Sequence, residues 1–350
     1  MTVRGALAFG SAVLVVSLAW FGLRPRTVAA VGTAPAKARS AIGAAPRRPA
    51  FDVAVISDLN ENYGSTRYGP AVQSAVHALT GRFHPRLVLI TGDMVAGQKR
   101  GVDAPAMWRA FHRAVTVPLE DAGILLAPAP GNHDASPGFT TERAEYVRQW
   151  SEKRSPLAFA DASHYPLRYS FTFEGAFFLA LDATSVGPLA AEQRSWIERQ
   201  LRDAASYPLK IAFGHLPLYP IAHGRERETL RDPELERLFA RHHVEAYVSG
   251  HHHAYYPGAT DTLRHLAMPC LGGGARPLIG TRKRSPQALV LLHVENAEIE
   301  KVDAFSAPDF ATPIERSSLP ERIKLGRQVL TRDDLLPETR ANAHSAVSTK

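Results

Sequence analysis

The stretch Ile124-Leu125-Leu126-Ala127-Pro128-Ala129-Pro130-Gly131-Asn132-His133-Asp134 runs from a short apolar segment into a cluster of polar side chains. A short apolar segment bounded by turn residues is typical of a buried strand. Two earlier stretches repeat the pattern, because Phe51–Ile56 leads to Ser57-Asp58 and Arg86–Ile90 leads to Thr91-Gly92-Asp93. Each stretch therefore predicts a buried strand that ends at polar residues.

Helical patterns separate these strands. Ala71–Leu79 and Met107–Val117 carry apolar side chains at helical spacing, and Pro118 is expected to end the second helix. Strands that alternate with helices indicate a parallel sheet, so the first half of the domain is predicted to be βαβαβ.

Two strands in the second half end at a glycine followed by histidine. Leu209–Phe213 precedes Gly214-His215, and Ala246–Val248 precedes Ser249-Gly250-His251-His252-His253. Other elements are predicted around them: a hairpin at Tyr169–Phe173 and Phe177–Leu181, helices at Ala190–Leu201 and Pro233–Ala240, and strands near Thr262–Ala267, Ala288–Val294 and Ile299–Val302. The pattern as a whole indicates an α/β domain.

Five strand ends deliver side chains that suit metal ions: Asp58 with Asn60, Asp93, Asn132 with His133 and Asp134, His215, and His251 with His253. In open α/β sheets ligands gather outside the carboxyl ends of strands, so these side chains are expected to lie together. Carboxylate, imidazole and amide oxygen ligands suit divalent Mn, Fe or Zn. Each element alone is typical of an ordinary turn or an isolated histidine, but five in order indicate a metal centre.

These blocks, in this order and with similar spacing, resemble the signature of the calcineurin-like metallophosphoesterases over about residues 51–304. The resemblance implies a four-layer α-β-β-α sandwich, in which two mixed sheets are flanked by helices. It also implies a metal-dependent hydrolase that cleaves phosphate mono- or diesters in a small phosphorylated substrate. Two divalent ions (Mn, Fe or Zn) would clamp the phosphoryl group and supply hydroxide for in-line attack.

The resemblance also implies a role for each side chain: Asp93 bridges the two ions, Asp58 and His253 bind the first, and Asn132, His215 and His251 bind the second. His133 is the expected general acid, which protonates the leaving alkoxide. Asp134 is expected to orient the His133 imidazole. His252 is expected to point away from the metals.

The first block departs from the family pattern, which has a histidine at the position of Asn60. Asn60 either ligates the first metal through its amide oxygen or holds a metal-bound water. Tyr63 and Tyr68 lie near enough in sequence to replace the missing ligand. The purple acid phosphatases also lack that histidine, but they carry a tyrosine where this chain has Ala96, so an iron tyrosinate is not expected.

The chain is predicted to have four segments: residues 1–30, a signal peptide or membrane anchor; 31–50, an Ala/Pro-rich linker; 51–305, the catalytic domain; and 306–350, a C-terminal tail that either packs on the domain or moves freely. The 18 residues from Ala6 to Leu23 carry no charge, which favours an export signal or an anchor over a core helix. We therefore expect an exported or membrane-anchored protein. Cys270 is the only cysteine, which excludes an internal disulfide.

The net charge of +7 does not indicate nucleic-acid binding. Residues 1–50 hold seven basic residues and no acidic ones, so residues 51–350 balance 34 basic against 34 acidic residues. A small phosphorylated molecule is therefore the expected partner rather than a nucleic acid. The sequence leaves the oligomeric state open.

Three features leave alternatives open. Gly272-Gly273-Gly274 with Arg276 either approaches a phosphate or forms a tight turn with a solvated arginine, and His223 either contacts phosphate or lies on the surface. The departure at Asn60 also allows a degenerate, non-catalytic member that binds phosphate or a partner at the cell envelope. The intact Asn132-His133-Asp134 unit favours an enzyme, because a general acid is useful only in turnover.

Overall fold

A computed structural model describes residues 50–336. The predicted signal or anchor at residues 1–30, most of the linker at 31–50 and the last residues of the tail lie outside this range. Within residues 50–336, no helix is long and apolar enough to span a bilayer.

A five-stranded sheet holds the first three predicted strands at one edge. Its strands lie in the order β12-β11-β1-β2-β3, with bounds β1 Phe51–Ile56, β2 Leu87–Ile90, β3 Leu125–Pro128, β11 Ala288–Glu295 and β12 Glu298–Ser306. Strands β1, β2 and β3 are parallel, while β11 pairs antiparallel with both β1 and β12. The carboxyl ends of β1, β2 and β3 therefore point to one side of the molecule.

A nine-stranded sheet holds the other two histidine-bearing strand ends. Its order is β13-β14-β9-β10-β8-β7-β6-β5-β4, with bounds β4 Ala158–His164, β5 Arg168–Phe173, β6 Ala176–Ala180, β7 Lys210–Phe213, β8 Ala246–Ser249, β9 Tyr256–Ala259, β10 Arg264–Ala267, β13 Arg322–Leu325 and β14 Gln328–Arg332. Strands β6, β7, β8 and β10 are parallel and the other pairs are antiparallel, so this sheet is also mixed.

The layers follow from strands that are apolar on both faces. On β1, Val53 and Val55 pack between the two sheets with Phe171 and Phe213 of the larger sheet, while Ala54 and Ile56 face the helices on the other side. The outer face of the larger sheet is covered by a second group of helices. These layers confirm the predicted four-layer α-β-β-α sandwich.

The helices occupy the two outer layers. Beside the smaller sheet lie α1 Pro70–Ala78, α2 Ala104–Phe111, α3 Val117–Asp121, α4 Asn132–Ala135 and α5 Thr140–Glu152; beside the larger sheet lie α6 Ala191–Asp203 and α7 Pro233–Arg241. Their packed side chains are large, since Trp108, Trp150 and Trp196 are all buried. Burial of such aromatic surface stabilises each outer layer.

The prediction that Pro118 ends a helix is wrong. After α2 the chain makes a π-helical turn over His112–Thr116 and continues into α3, where Pro118 lies in the first turn. Proline lacks a backbone N–H, but the first turn of a helix does not need that donor. The change of hydrogen-bond ladder before Pro118 therefore lets the chain remain helical.

The C-terminal part of the chain adds two strands to the larger sheet. Strands β13 and β14 form a hairpin, and Thr331 and Arg332 of β14 pair with Ala259 and Gly258 of β9. Ile323 and Leu330 of the hairpin are buried in a small apolar cluster. Residues 322–332 therefore pack on the sheet, while residues 337–350 lie outside the described range.

Candidate metal centre

Loops from both sheets converge at the carboxyl ends of β1, β2, β3, β7 and β8. The Asp58 backbone N–H donates to the Gly92 carbonyl at 3.0 Å, and the Gly250 N–H donates to the His215 carbonyl at 2.9 Å. His215 also reaches across to the smaller sheet, where its Nδ1 lies 2.8 Å from the Thr91 carbonyl oxygen. These contacts bring the predicted ligands of the two sheets into one buried cluster.

One group of ligand atoms comes from Asp93, Asn132, His215 and His251. His215 Nε2 lies 3.3 Å from Asp93 Oδ2, 2.9 Å from Asn132 Oδ1 and 3.2 Å from His251 Nδ1. The Asp93, His215 and His251 ligand atoms all lie within 4.8 Å of one another. This is the set that the sequence assigned to the second metal.

A second group comes from Asp58, Asp93 and His253, whose ligand atoms also lie within 4.8 Å of one another. His253 Nε2 lies 3.2 Å from Asp58 Oδ1. The other oxygen of Asp58 accepts a hydrogen bond from the Ser57 hydroxyl at 2.6 Å. Asp93 belongs to both groups, as a carboxylate that bridges two ions must.

Hydrogen bonds on the outer sides of the rings determine which nitrogens face the cluster. His215 Nδ1 donates to the Thr91 carbonyl, so the Nε2 atom of the neutral ring presents a lone pair to Asp93 and Asn132. His251 Nε2 lies 3.0 Å from Glu228 Oε2 and donates to it, so His251 Nδ1 also presents a lone pair. Lone pairs that face one another around a common point repel unless a proton or a metal cation lies between them. The donor set therefore fits a divalent metal ion.

Four of the candidate ligands adopt left-handed backbone conformations, with φ of 51° at Asp58, 54° at Asp93, 66° at His251 and 52° at His253. Such conformations are unfavourable for residues with a side chain, at a cost of about 1–3 kcal/mol each. They turn each side chain sharply out of its strand and toward the cluster. Backbone strain of this kind is therefore present at four of the candidate ligands.

Two glycines allow the loops to approach these carboxylates. A Cβ atom at Gly131 would lie 2.1 Å from Asp93 N, and one at Gly250 would lie 2.1 Å from Ser57 Oγ. Both distances are far inside van der Waals contact, so any side chain would separate the loops. The glycine in each block is thus required by packing.

The titratable groups of the cluster are strongly coupled. Burial alone would lower the pKa of His215, but the Asp93 carboxylate raises that pKa to about 9. Burial likewise opposes ionisation of Asp93, yet His215 and His133 hold the pKa of Asp93 well below its usual value. At the other group burial disfavours the charged form of His253, yet Asp58 raises the pKa of His253 well above the ordinary range. The carboxylates are therefore ionised and attract cations, and protons compete with metal ions for the histidines.

His133 lies at the mouth of the cluster. A cavity of about 220 Å³ is lined by Asn60, Glu61, Asn62, Tyr63, His133, His253, Gly273 and Gly274. His133 Nδ1 lies 3.0 Å from the Gly97 carbonyl oxygen and donates to it, while Nε2 lies 4.0 Å from Asp93 Oδ2. The Tyr63 ring lies beside it at 5.3 Å. The ring is thus held from behind with Nε2 toward the cavity.

The prediction that Asp134 orients the His133 imidazole is wrong. Its Oδ1 accepts hydrogen bonds from the backbone N–H groups of Met94 and Val95 at 2.9 and 3.0 Å, and its Oδ2 accepts one from Gly131 at 2.9 Å. The Gly97 carbonyl takes the orienting role instead. Asp134 therefore ties the loop after β2 to the loop after β3, because a buried carboxylate binds backbone donors strongly.

Asn60 and the two tyrosines that follow it in sequence lie at different places. Asn60 lines the cavity beside His253, and its side chain makes no hydrogen bond to any residue that the structure describes. Tyr68 is not a replacement ligand, because its hydroxyl donates to the Met94 carbonyl at 2.8 Å. Tyr63 is 57% exposed and lies against His133.

Two other histidines lie away from the ligand cluster: His252 as expected, and His223 at the surface, which is one of its two alternatives. His252 Nδ1 accepts from the Ile221 N–H at 3.3 Å and its Nε2 donates to the Glu228 carbonyl at 3.0 Å, so it faces away from the cluster. The His223 side chain is 70% exposed and lies 3.3 Å from Glu226. Neither contributes to the candidate site.

The residues that hold the ligands in place could not be recognised in the sequence. Gln98 Oε1 accepts a hydrogen bond from Asn132 Nδ2 at 2.9 Å, and the Gln98 backbone N–H donates to the buried Glu142 carboxylate. Glu228 accepts from His251 and forms an ion pair with Arg225. None of these residues follows a recognisable motif, although Glu142 lies one and two turns before Tyr146 and Gln149 on the buried face of α5.

The chain is similar to a known protein family and to several solved structures. The model of the calcineurin-like phosphoesterase family matches residues 51–255, more than half of the chain. No curated protein matches the sequence of the chain.

Among solved structures, the chain is similar to a purple acid phosphatase from yellow lupin (Lupinus luteus) seeds, with a TM-score of 0.52 and 15% identity over 73% of this chain and 51% of that one. The chain thus spans about half the length of that phosphatase. It also matches the inner-membrane-complex anchor of Plasmodium, with a TM-score of 0.47 and 14% identity over 86% of this chain and 95% of that one. A protein of Thermus thermophilus gives a TM-score of 0.44 and 16% identity over 71% and 100% of the two chains.

Proposed function

The chain belongs to the calcineurin-like phosphoesterase family, and on that premise we propose that it hydrolyses phosphate mono- or diesters at a centre of two divalent metal ions. The observation that carries the proposal is the position of Asp93, whose carboxylate belongs to both groups of candidate ligands. When bound, two divalent ions would polarise the phosphoryl oxygens and lower the pKa of water.

The chain's own residues would divide the work as follows. Asp58, Asp93 and His253 would hold the first ion, and Asp93, Asn132, His215 and His251 would hold the second. Asn60 lines the cavity beside His253. Glu228 and the Thr91 carbonyl would keep His251 and His215 in the tautomers that ligation requires.

His133 would protonate the leaving oxygen of the ester. Its Nδ1–H is bound to the Gly97 carbonyl, which leaves Nε2 as the atom that can carry a proton into the cavity. His133 Nε2 lies 4.0 Å from Asp93 Oδ2, at the side of the cavity where the ester would bind. A group in this position contributes to catalysis as the ester oxygen departs. We further propose that the protein acts outside the cytoplasm, as the uncharged segment at residues 6–23 suggests.

The test is turnover of the purified full-length chain loaded with Mn, Fe or Zn in turn. The panel would include nitrophenyl phosphate, bis(nitrophenyl) phosphate and alkyl phosphates. Hydrolysis of any of them that is absent in His215→Ala supports the proposal. Binding of phosphate without turnover under every condition would instead identify a non-catalytic member of the family.

A further inference from the structure

Arg276 is an arginine without a partner beside the metal centre. No residue within 50–336 accepts a hydrogen bond from its guanidinium or forms an ion pair with it, and its Nε atom is buried. Burial of such donors is unfavourable unless a solvent molecule or a ligand satisfies them. The arrangement therefore needs an acceptor from outside the described chain.

The position of Arg276 links the cavity to a second loop. Its backbone N–H donates to the His253 carbonyl at 3.1 Å, and Gly274, two residues earlier, lines the cavity. At its other end the guanidinium reaches the backbone of Gly224, where an added Cβ would lie 3.3 Å from Nη1. The side chain thus bridges the edge of the cavity and the segment that contains Arg225.

Arg225 brings a second positive charge to the same place. Its Nη1 lies 3.3 Å from His251 Nε2, and its Nε is also buried without a partner in the described range. Burial lowers the pKa of Arg276, and the two guanidinium groups lie near enough for the charge of Arg225 to lower that pKa further. Two like charges in proximity favour an anion between or beside them.

The carboxylates nearby already have partners. Glu228 is held by Arg225 and by His251, at 3.0 Å from His251 Nε2. Glu226 accepts from the Gly224 N–H at 3.0 Å and lies 3.3 Å from His223. On the other side Arg284 adds a further positive charge, although its Nη1 donates to the Ala275 carbonyl at 2.8 Å. Glu226 and Glu228 attract Arg276 only at longer range, and no carboxylate within residues 50–336 forms an ion pair with it.

We propose that Arg276, assisted by Arg225, binds a second anionic group of the substrate, a carboxylate or phosphate beyond the ester that is cleaved. The inference rests on the proposed function and names its substrate class: phosphate esters with an anionic tail. The planar guanidinium matches the two oxygens of such a group. Arg225 Nη1 lies 3.3 Å from His251 Nε2, and the other ring nitrogen of His251, Nδ1, is its candidate ligand atom. The reacting phosphoryl group would occupy the metal centre itself.

Binding of two phosphonates that the enzyme cannot hydrolyse tests this subsite. Phenylphosphonate and 4-carboxyphenylphosphonate differ only in the carboxylate, and calorimetry on the metal-loaded full-length chain measures the affinity for each. We expect tighter binding of the carboxylated probe, and we expect Arg276→Gln to remove about ten- to a hundredfold of that affinity while phenylphosphonate binding stays unchanged. Arg276→Lys should give an intermediate loss, because it keeps the charge without the planar fork.

Arg282→Gln is the matched control, since Arg282 is an exposed arginine six residues further on. Equal affinity for the two probes, or an equal loss on both in Arg276→Gln, would overturn the inference. Failure of both probes to bind would overturn it as well. Hydrolysis of phenyl phosphate, measured in parallel on the same protein, reports on the proposed function independently, because that ester carries no second anion.

Discussion

Gln98 Oε1 accepts a hydrogen bond from Asn132 Nδ2 at 2.9 Å, and this contact turns the amide oxygen of Asn132 toward His215 Nε2, also at 2.9 Å. The amide has two different ends, and only the oxygen can bind a metal ion. Gln98 thus selects the orientation of Asn132 that ligation requires, although Gln98 itself lies outside the metal cluster.

Gln98→Ala should therefore weaken metal binding by about ten- to a hundredfold, as is typical when a ligand loses its supporting hydrogen bond. Gln98→Glu should retain most of the affinity, because its carboxylate also accepts from Asn132 Nδ2. Competition with a chelator measures the affinity, and Arg100→Ala, a change at a neighbouring exposed side chain, serves as the control. An unchanged affinity in Gln98→Ala would mean that Asn132 is oriented without it.

His133→Ala should retain its metal ions, since Asp93, Asn132, His215 and His251 remain. Hydrolysis of alkyl phosphates should fall by about two to four orders of magnitude, because an alkoxide leaves poorly without a proton. Nitrophenyl esters should lose much less, since nitrophenolate is stable as an anion. The measurement is kcat/KM on both esters with metal content determined in parallel. Equal losses on the two esters with metals retained would exclude His133 as the acid.

His112 predicts how stability depends on pH. Burial lowers the pKa of His112 to about 4, and the neutral ring bonds Thr116 and Gln149 at 3.0 Å each. Because the unfolded value is about 6.5, the folded state binds fewer protons, so the contribution to stability is complete above about pH 6.5 and is lost as pH falls toward 4.

Chemical denaturation at about pH 7 and about pH 5 should therefore show a steeper loss of stability in the wild type than in His112→Asn, by roughly 1–2 kcal/mol. His77→Asn, at an exposed histidine of α1, should behave like the wild type. Parallel pH profiles in the wild type and His112→Asn would show that His112 does not titrate on unfolding.

Residues 6–23 predict the location of the protein. An 18-residue segment without charge near the N-terminus directs export or anchors a chain, so the full-length protein should be found outside the cytoplasm. Val15→Asp with Val16→Asp should trap it in the cytosolic fraction, whereas Ala34→Asp with Ala36→Asp in the linker should not. Recovery of the wild type from the cytosol alone would refute the prediction.

Much of the fold could be predicted because the strands that carry the site are buried on both faces. Phe51–Ile56 is an uninterrupted strand in both sequence and structure. Strand β9 (Tyr256–Ala259) was missed because it contains Pro257 and Gly258, which disfavour strands, and its pairing with β10 and β14 supplies what local sequence lacks. Helix α5 was missed because its buried face, from Glu142 to Trp150, includes polar side chains.

The candidate ligands could be predicted because each follows a strand directly in sequence. Their supports could not, because the contacts are distant along the chain. Gln98 and Asn132 are 34 residues apart, and Glu228 and His251 are 23 apart. The role predicted for Asp134 is wrong for a related reason. Asp134 is the neighbour of His133 in sequence, but both residues lie in helix α4, and the Asp134 carboxylate points to the loop after β2.

Metal removal and replacement with simultaneous assay is the most direct test of a two-metal phosphoesterase. The full-length chain is stripped with a chelator and titrated with Mn, Fe or Zn, while elemental analysis and hydrolysis of nitrophenyl phosphate are followed together. Activity should be absent from the stripped protein and should reach a plateau at two ions per chain. Asp93→Asn should bind little metal and stay inactive, because its carboxylate belongs to both ligand groups. Full activity in the stripped protein, or two tightly bound ions in Asp93→Asn, would contradict the account.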